Sequence, residues 1–464
     1  MDRHAVIWTR QPSGPIKMGD LVVTEAETRF SYTPQFLELG PGAAGLALLS
    51  SPRLFGRDPV VFQNRDDFPL HPRLMSLIPG EGRRNIQRQI YTRMLLARPD
   101  RAATALSGFA FEWELLLLAG HNGIGHLDVF PDDLVADAFY AKDAPSAPVP
   151  AAASRSRFWR AVRDDVALDV QAMDAEAVAE MLGPTPSAGG MIPKLLVAIP
   201  DQPRWDGAFA RPGTREVAGR RYVDVVLKIE PVEYAGVAEL EALCLQLHVD
   251  AGFQVPRWWR ATLDGLELLA VERFDRTPEG LPVAMESLYS VFATGRREFN
   301  SNQDTDLGEM AEWIEKLAAV ANLDVRATQR EIYRRLTVAL CTGNGDMHLQ
   351  NLSFLGGPEK VILSPVYDPA PMRAWPRHDV RLAVPLIPEK AIGGFAENWL
   401  ALGRRYGMTR PQVRELVTWS LEATRDYPAQ VQALAAVPAA RRERLCDTVR
   451  RERALLEKAL DAKV

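Results

Sequence analysis

A short run of polar residues, Gly343 to Asn351, carries side chains suited to phosphoryl transfer. The run Gly-Asn-Gly-Asp-Met-His-Leu-Gln-Asn places Asp346 five residues before Asn351, and Asp368 follows 22 residues after Asp346. Transfer from a magnesium nucleotide needs a carboxylate that orients the attacking hydroxyl and oxygen ligands for the metal. The sequence therefore predicts Asp346 as a proton acceptor, with Asn351 and Asp368 as oxygen ligands.

The segment between these residues predicts how they meet. Residues 352–355 have the pattern of a strand, 356–360 that of a turn, and 361–366 that of a returning strand. Because a hairpin brings its two ends together, Asn351 and Asp368 are expected to be neighbours at one metal site. The alternative is a surface loop that carries ordinary polar residues.

Composition narrows the class of protein. The 464 residues are enough for two or three domains, and the net charge of -5 gives no electrostatic basis for binding nucleic acid or an anionic membrane. The three cysteines lie far apart, which favours buried thiols in a reducing compartment. Apolar runs are far shorter than a membrane span, and the first residues lack a signal-peptide core. We expect a soluble, cytoplasmic protein.

The order of apolar patterns predicts an α+β chain. Short β-like runs (5–9, 21–24, 28–32 and 45–49) are followed by a helical pattern over 83–119 that ends at Gly120. Further strands are expected at 195–199, 223–229 and 266–274, with a helix at 237–251 and an exposed insertion at 203–219. The helices expected later in the chain cover 307–321, 326–341, 394–406, 410–425 and 440–461.

These patterns predict a kinase-like bilobal fold behind a β-rich N-terminal module. The expected divisions are a module with its following helices (1–142), a linker rich in Ala, Pro and Ser (143–156), a small sheet-bearing lobe (157–275) and a large helical lobe (276–464).

Two further segments suit phosphate binding. Residues 187–194 (Ser-Ala-Gly-Gly-Met-Ile-Pro-Lys) contain adjacent glycines that allow backbone N–H groups to approach phosphate oxygens, although a bare turn has the same composition. Lys228 is a lone cation in an apolar strand, where it must reach either an anion or solvent. Glu241 or Glu239 is the expected partner of Lys228 in a kinase.

The residues Glu272, Arg273 and Phe274 lie where a buried strand becomes charged. This transition suits a hinge whose backbone pairs with adenine, and it equally suits an ion-paired turn. His348 is placed to steady its loop or to contact phosphate, and a structural hydrogen bond is the common alternative.

Taken together, these segments resemble the HipA family of bacterial serine/threonine kinases, the toxin halves of HipBA-type toxin–antitoxin pairs. Residues 187–194 are similar to the family's Ser-x-x-Gly-x-x-Pro-Lys loop, and 269–276 to its apolar–Glu-Arg-Phe-Asp-Arg segment. The late segments 343–354 and 365–368 resemble its catalytic and metal-binding motifs. The N-terminal segments 30–32 and 77–82 resemble the family's first domain.

The resemblance implies ATP and Mg²⁺ as cofactors, Asp346 as general base, Asn351 and Asp368 as metal ligands, and Ser187 as an inactivating autophosphorylation site. The implied ATP-binding residues are Gly189, Gly190, Met191, Ile192, Pro193, Lys194, Lys228, Glu272, Arg273, Phe274, His348, Gln350, Asn351, Tyr367 and Asp368. The implied partners are a protein substrate such as an aminoacyl-tRNA synthetase and a helix-turn-helix antitoxin of HipB type, with no direct contact to nucleic acid or membrane.

The chain departs from the family pattern at three places: Gln350 stands where Lys is common, Met191-Ile192 where Ala-Gln is common, and Pro369-Ala370-Pro371 follows the second Asp. Two alternative functions stay open. One is a small-molecule kinase of the aminoglycoside or choline type, which shares the Asp-x-x-x-x-Asn spacing. The other is an inactive kinase-like scaffold that binds a transcription regulator.

Overall fold

The computed structural model describes residues 2–81, 85–96, 108–141, 159, 162, 192–386 and 394–461. The chain divides into two compact units. The first takes residues 1–233, 257–286 and 355–359, and the second takes 234–256, 287–354 and 360–464. The predicted linker at 143–156 and residues 187–191 lie outside the described residues.

The N-terminal part of the first unit contains an antiparallel sheet with strand order β4-β3-β2-β1-β5. Its strands are β1 (Arg3–Gln11), β2 (Gly14–Val23), β3 (Glu27–Tyr32), β4 (Val60–Gln63) and β5 (Asp128–Phe130). Alternate residues such as Ile7, Leu21 and Phe30 are fully buried, as expected for a sheet with one face on a core.

The strand predicted at 45–49 is wrong. This segment is a loop that ends in a 3-10 turn at Leu48–Ser50. Its backbone is bound by side chains rather than by a neighbouring strand: Leu46 N–H donates to the Tyr32 hydroxyl (2.9 Å), and Leu48 N–H donates to Glu286 Oε2 (2.7 Å).

Helices cover parts of this first sheet and the apolar core beside it. They are α1 (Pro34–Leu37), α2 (Pro52–Phe55), α3 (Pro72–Met75), α4 (Ile86–Leu96), α5 (Phe109–Ala119) and α6 (Asp133–Ala141). The predicted end of the helical pattern at Gly120 is confirmed, because Gly120 caps α5 through its N–H to Leu116 O.

A second antiparallel sheet in the first unit has the order β6-β8-β10-β9, and β7 also pairs with β8. Its strands are β6 (Lys194–Pro200), β7 (Glu216–Val217), β8 (Arg220–Ile229), β9 (Trp258–Leu263) and β10 (Leu266–Glu272). One face, with Val197, Leu227 and Leu268, joins the core shared with the N-terminal sheet. The predicted exposure of 203–219 is wrong in part, because Trp205 and Phe209 are buried in that core.

The second unit is mainly helical, as predicted. Its helices are α7 (Val237–Asp250), α8 (Leu288–Gly295), α9 (Leu307–Leu317), α10 (Val325–Thr342), α11 (Phe395–Arg405), α12 (Arg410–Ala423), α13 (Tyr427–Ala433) and α14 (Ala439–Asp461). The short strands β11 (Met285–Ser287), β12 (Ser353–Leu355) and β13 (Ile362–Leu363) form a three-stranded sheet in the order β11-β12-β13. The three cysteines are buried, as expected from their spacing.

Candidate active site

The segment 343–351, here called the 343–351 loop, begins where α10 ends. Gly343 caps the helix with a φ of +74°, a left-handed conformation that glycine adopts without steric cost. Asn344 N–H then donates to Ala339 O (2.9 Å), and the Asn344 side chain accepts from Asp346 N–H (2.9 Å). This turn fixes the backbone that presents Asp346.

Gly345 lies where the chain approaches closely. A Cβ there would be 2.0 Å from Val380 O and 2.9 Å from Arg373 Cγ, so a side chain does not fit without movement of the backbone. Glycine at 345 therefore lets the residue before Asp346 pack directly against the later segment.

Asp346 and Asn351 are linked by a hydrogen bond. Asn351 Nδ2 donates to the backbone O of Asp346 (2.8 Å), which turns the Asn351 amide oxygen toward other partners. The Asp346 side chain is 37% exposed, so the carboxylate is accessible to a substrate. The loop thus supplies an accessible carboxylate and a nearly buried amide oxygen.

The predicted hairpin is confirmed in a shorter form. Ser364 N–H donates to Ser353 O (2.8 Å), and the Tyr367 hydroxyl donates to Gln350 O (2.6 Å) and contacts Ser353 Oγ (2.7 Å). Burial raises the pKa of the Tyr367 phenol, which keeps it a neutral donor. Asn351 is the residue after Gln350, and Asp368 is the residue after Tyr367, so both directly follow residues that this hydrogen bond joins.

Asp368 has a φ of +55°, uncommon for any residue other than glycine and more so before a proline such as Pro369. Such strained residues concentrate at functional sites, because the surrounding structure must hold them in place. Here the strain sets the direction of a carboxylate next to the hairpin.

The available oxygen ligands suit Mg²⁺ better than a metal ion that is coordinated by protein side chains alone. Within the described ranges, His, Cys, Asp and Glu side chains nowhere gather in groups of three that could hold a metal. Mg²⁺ is commonly held by one or two carboxylates together with nucleotide phosphates and water. Asp368 and the amide oxygen of Asn351 are the residues that would hold it.

His348 does not make the structural hydrogen bond that was its common alternative. Its Nε2 lies 3.7 Å from Asp346 Oδ1, and its Nδ1 is buried without a hydrogen-bond partner among the described residues.

Asn302 was missed by sequence reasoning. Its Oδ1 accepts from Leu349 N–H (3.0 Å), and its Nδ2 donates to Gln350 Oε1 (3.0 Å). Asp304 orders the same turn by accepting from Asn300 N–H and Ser301 N–H. The only signal in the sequence is the turn-like composition of Asn300 to Asp304, which does not reveal a long-range contact.

In the first unit, Lys194 and Lys228 lie directly opposite each other in the antiparallel pair of β6 and β8. Directly opposed residues share one face of a sheet with Cβ atoms about 5 Å apart. This is the face away from the apolar core, since Leu195 and Leu227 occupy that core. The two lysines, 8% and 6% exposed, therefore form a buried basic pair on one face.

The side chains of Glu272 and Arg273 are engaged within the first unit. Arg257 binds Glu272 through two hydrogen bonds of 2.7 and 2.9 Å. The Arg273 guanidinium donates to both carboxylate oxygens of Asp275 (2.9 and 2.8 Å) and to Gly123 O. The geometry therefore favours the ion-paired turn for these side chains. The backbone N–H groups of Glu272 and Arg273 also bind within the unit, to Arg257 O and Asp224 O (both 2.9 Å).

Asp275 is the centre of this arginine–aspartate cluster, which comprises Arg273, Asp275 and Arg276. Arg276 donates to Asp275 Oδ2 (2.9 Å) and to the backbone oxygens of Gly123 and Gly125. Burial alone would raise the pKa of Asp275, but the two guanidinium groups hold it well below its usual range. The cluster ties the loop at 123–125 to the end of β10.

The remaining predicted residues are placed as follows. Of the two glutamates proposed to steady Lys228, Glu241 on α7 is 2% exposed and Glu239 is half-buried. Ile192 and Pro193 precede β6, and Pro193 O accepts from Ile229 N–H (2.9 Å). Ser187, Gly189, Gly190 and Met191 lie outside the described residues.

The sequence profile of the HipA-like C-terminal domain matches residues 186–427, just over half of the chain. The chain belongs to this family. The matched region contains the 343–351 loop, the hairpin and both lysines. The strands and helices of the N-terminal part and the whole of α14 lie beyond it.

Curated proteins that are similar to this chain are named as putative kinases. A Haemophilus influenzae protein named "Putative kinase" is 27% identical over 43% of this chain and 57% of its own length. A Sinorhizobium fredii protein, "Putative kinase Y4dM", is 30% identical over 31% of this chain and 36% of its own. The chain thus spans about half or less of the length of these relatives.

A solved structure supports the fold over nearly the whole chain. A chain from the complex of HipA, HipB and operator DNA of the Shewanella oneidensis MR-1 toxin–antitoxin system matches with a TM-score of 0.56 at 16% identity. The match covers 97% of this chain and 98% of that one. The predicted α+β, kinase-like fold with a β-rich N-terminal module is confirmed.

Proposed function

We propose that this HipA-family chain is an ATP- and Mg²⁺-dependent protein serine/threonine kinase. The observation that carries the proposal is the construction of the 343–351 loop. An accessible Asp346 is joined through Asn351 to a hairpin that ends in the strained Asp368.

Asp346 would accept the proton of the substrate hydroxyl. A carboxylate in this role must be within reach of solvent and held by its backbone, and Asp346 meets both conditions. Its neighbour His348 lies 3.7 Å away, where it can orient either the carboxylate or a phosphate oxygen.

Each unit offers groups that suit a different part of magnesium ATP. Lys194 and Lys228 supply two positive charges on one sheet face, which suits the α- and β-phosphates of a nucleotide. Asn351 and Asp368 would hold magnesium, whose charge offsets that of the transferred group when it is bound.

The test is phosphate transfer from radiolabelled ATP to protein in a host extract, with the full chain and its Asp346→Asn variant. We expect a loss of about 10²–10⁴-fold, the range for removal of a general base. Asp250→Asn is the matched control, since Asp250 is an exposed carboxylate at the end of α7. Transfer by Asp346→Asn at the wild-type rate would contradict the assignment.

The substrate class is decided by the acceptor that is labelled. Labelled Ser or Thr in proteins, identified by mass spectrometry against the Asp346→Asn background, would support a protein kinase. Rapid turnover of an aminoglycoside or of choline without labelled protein would instead support a small-molecule kinase. An aminoacyl-tRNA synthetase is the proposed protein target, and its phosphopeptides would be sought first.

Self-inactivation through Ser187 is part of the proposal. A phosphate there would add nearly two negative charges next to the nucleotide-binding loop and so favour displacement of that loop. We expect incubation with ATP to phosphorylate Ser187 and to slow transfer, whereas Ser187→Ala should stay active. Equal inactivation of Ser187→Ala would contradict this role.

A helix-turn-helix antitoxin of HipB type is the proposed partner. The support is the similarity in fold to a chain from a complex that contains HipB and operator DNA. Co-purification of this chain with the product of the neighbouring reading frame tests the partner.

Within the described ranges, every helix is too short or too polar to span a bilayer.

A further inference from the structure

The long helix α14 contacts the back of the 343–351 loop. A Cβ on Gly343 would lie 2.5 Å from Leu445 Cδ1 and 3.8 Å from Val449 Cγ2. These two side chains therefore pack against the first residue of the loop. All of α14, from 439 to 461, lies beyond the region that matches the family profile.

One turn further along the same helix, Glu452 is a buried carboxylate that binds two arginines. It is 1% exposed, and it accepts from Arg373 Nη1 (2.8 Å) and Arg381 Nε (2.7 Å). The Arg373 guanidinium is completed by Asp379, which accepts from its Nε at 3.0 Å. A charge this deeply buried is costly unless it is paired in good geometry.

Arg373 transmits this anchoring to the loop by two direct contacts. Its backbone N–H donates to Gly343 O (3.2 Å), and its side-chain stem lies against Gly345, where a Cβ would come within 2.9 Å of Cγ. The two glycines bracket Asn344, whose side chain receives the N–H of Asp346. The path from Glu452 to Asp346 is thus continuous and lies within the second unit.

We propose, on the basis of the function above, that Glu452 is a positioning residue: through Arg373 it holds the backbone of residues 343–345 and so sets the direction of the Asp346 carboxylate. Because a misplacement of about 1 Å near the reacting atoms can cost about a hundredfold in rate, this anchoring should appear in kcat. Affinity for ATP should be nearly unchanged, since neither Glu452 nor Arg373 is among the proposed phosphate contacts.

The experiment compares Glu452→Gln with the wild type by steady-state kinetics and by hydrogen–deuterium exchange. We expect kcat to fall by about tenfold or more with KM for ATP within about twofold. The amides of 343–351 should exchange faster while those in the middle of α10 stay protected. Arg453→Gln is the matched control, because Arg453 is the next residue on α14 and binds Thr424 Oγ1 (2.7 Å) instead of the loop.

A second variant guards against a simple failure to fold. Arg373→Met with Glu452→Met replaces the buried pair by apolar side chains, an exchange that is often neutral or stabilising. We expect this variant to fold and to keep the low kcat. Wild-type kcat in the folded double variant, or unchanged exchange of 343–351 in Glu452→Gln, would overturn the proposal. An inactive wild type that still shows the exchange difference would refute the kinase assignment alone.

Discussion

The 343–351 loop and the arginine–aspartate cluster both place charged residues just beyond the end of an ordered element. They use those charges in opposite ways. In the loop, Asp346 is 37% exposed, and hydrogen bonds to its backbone N–H and O fix the position from which its carboxylate is presented. In the cluster, both oxygens of Asp275 accept from guanidinium groups, and the residue is 2% exposed.

The difference shows why residue type alone does not identify a catalytic group. A carboxylate whose oxygens are occupied by buried arginines stabilises the fold, and its removal should change the free energy of unfolding. A carboxylate held by its backbone and left accessible is available for chemistry, and its removal should change the rate. The predictions below separate these two outcomes.

Asp275→Asn should produce the largest effect on stability. The change leaves two buried arginines without a full charge partner, so we expect a loss of about 3–5 kcal/mol in the free energy of unfolding. Urea denaturation measures it. Asp201→Asn is the control, since its ion pair with Arg257 is partly exposed and worth about 0–1 kcal/mol. Equal stability of the two variants would show that the buried ion pairs of Asp275 contribute no more than the partly exposed pair of Asp201.

The pH dependence of stability gives a second view of Asp275. Its folded pKa is depressed, so its contribution is present above the unfolded value of about 3.9 and is lost as the pH falls toward the folded pKa. We expect the free energy of unfolding of the wild type to fall below about pH 4 more steeply than that of Asp275→Asn. Parallel curves would argue against the depressed pKa.

Replacing Asp368 by Asn should change the rate and leave the stability unchanged, the reverse of the effect expected at Asp275. Asp368→Asn keeps a residue that tolerates positive φ but loses the charge, so we expect about 10²–10³-fold lower kcat at unchanged thermal stability. Asp368→Gly should be equally inactive yet more stable by about 1 kcal/mol, because it relieves the strained backbone. Thermal denaturation and a magnesium titration of activity measure both. A glycine variant that is less stable than the wild type would show that the backbone is not strained.

Lys228→Met tests the basic pair in the first unit. Loss of one charge-assisted contact of about 1.5–3 kcal/mol should raise KM for ATP by about tenfold or more. Lys316→Met, at an exposed lysine of α9, is the control. An unchanged KM would exclude Lys228 from the nucleotide site.

Asn302→Ala should give the smallest effect. It removes two neutral hydrogen bonds to Leu349 and Gln350, each worth about 1 kcal/mol, and we expect kcat to fall by about fivefold. Asn302→Asp keeps the acceptor for Leu349 N–H and should recover part of the rate. Equal rates for the two variants would indicate that this acceptor is not what orders the loop.

Much of the local structure of the candidate site could be predicted from the spacing of residues. The hairpin that joins Asn351 to Asp368 follows from two short apolar runs around a Gly-Gly-Pro turn, and such turns are encoded by adjacent residues. The long helices were predicted within a few residues for the same reason, because their apolar periodicity is local. The alternation that places Lys228 and Leu227 on opposite faces of the sheet is likewise a property of the strand itself.

What could not be predicted depends on contacts between distant segments. The segment 45–49 has an apolar strand pattern, but Tyr32 and Glu286 bind its backbone and fold it into a loop. Trp205 and Phe209 lie in a polar stretch, and only the tertiary fold reveals that they fill the core. Asn302 reaches the 343–351 loop across about 47 residues of sequence, a distance at which composition carries no information.

The pairing of Lys194 with Lys228 links assembly of the sheet to formation of the proposed phosphate-binding pair. If one strand of the β6–β8 pair slipped by one residue, its lysine would turn toward the apolar core and away from the other lysine. Such a misregistered sheet would be penalised by the same core that stabilises the native one. The side chains of the two strands therefore select the native register. Only molecules with this register have both lysines on the same face of the sheet.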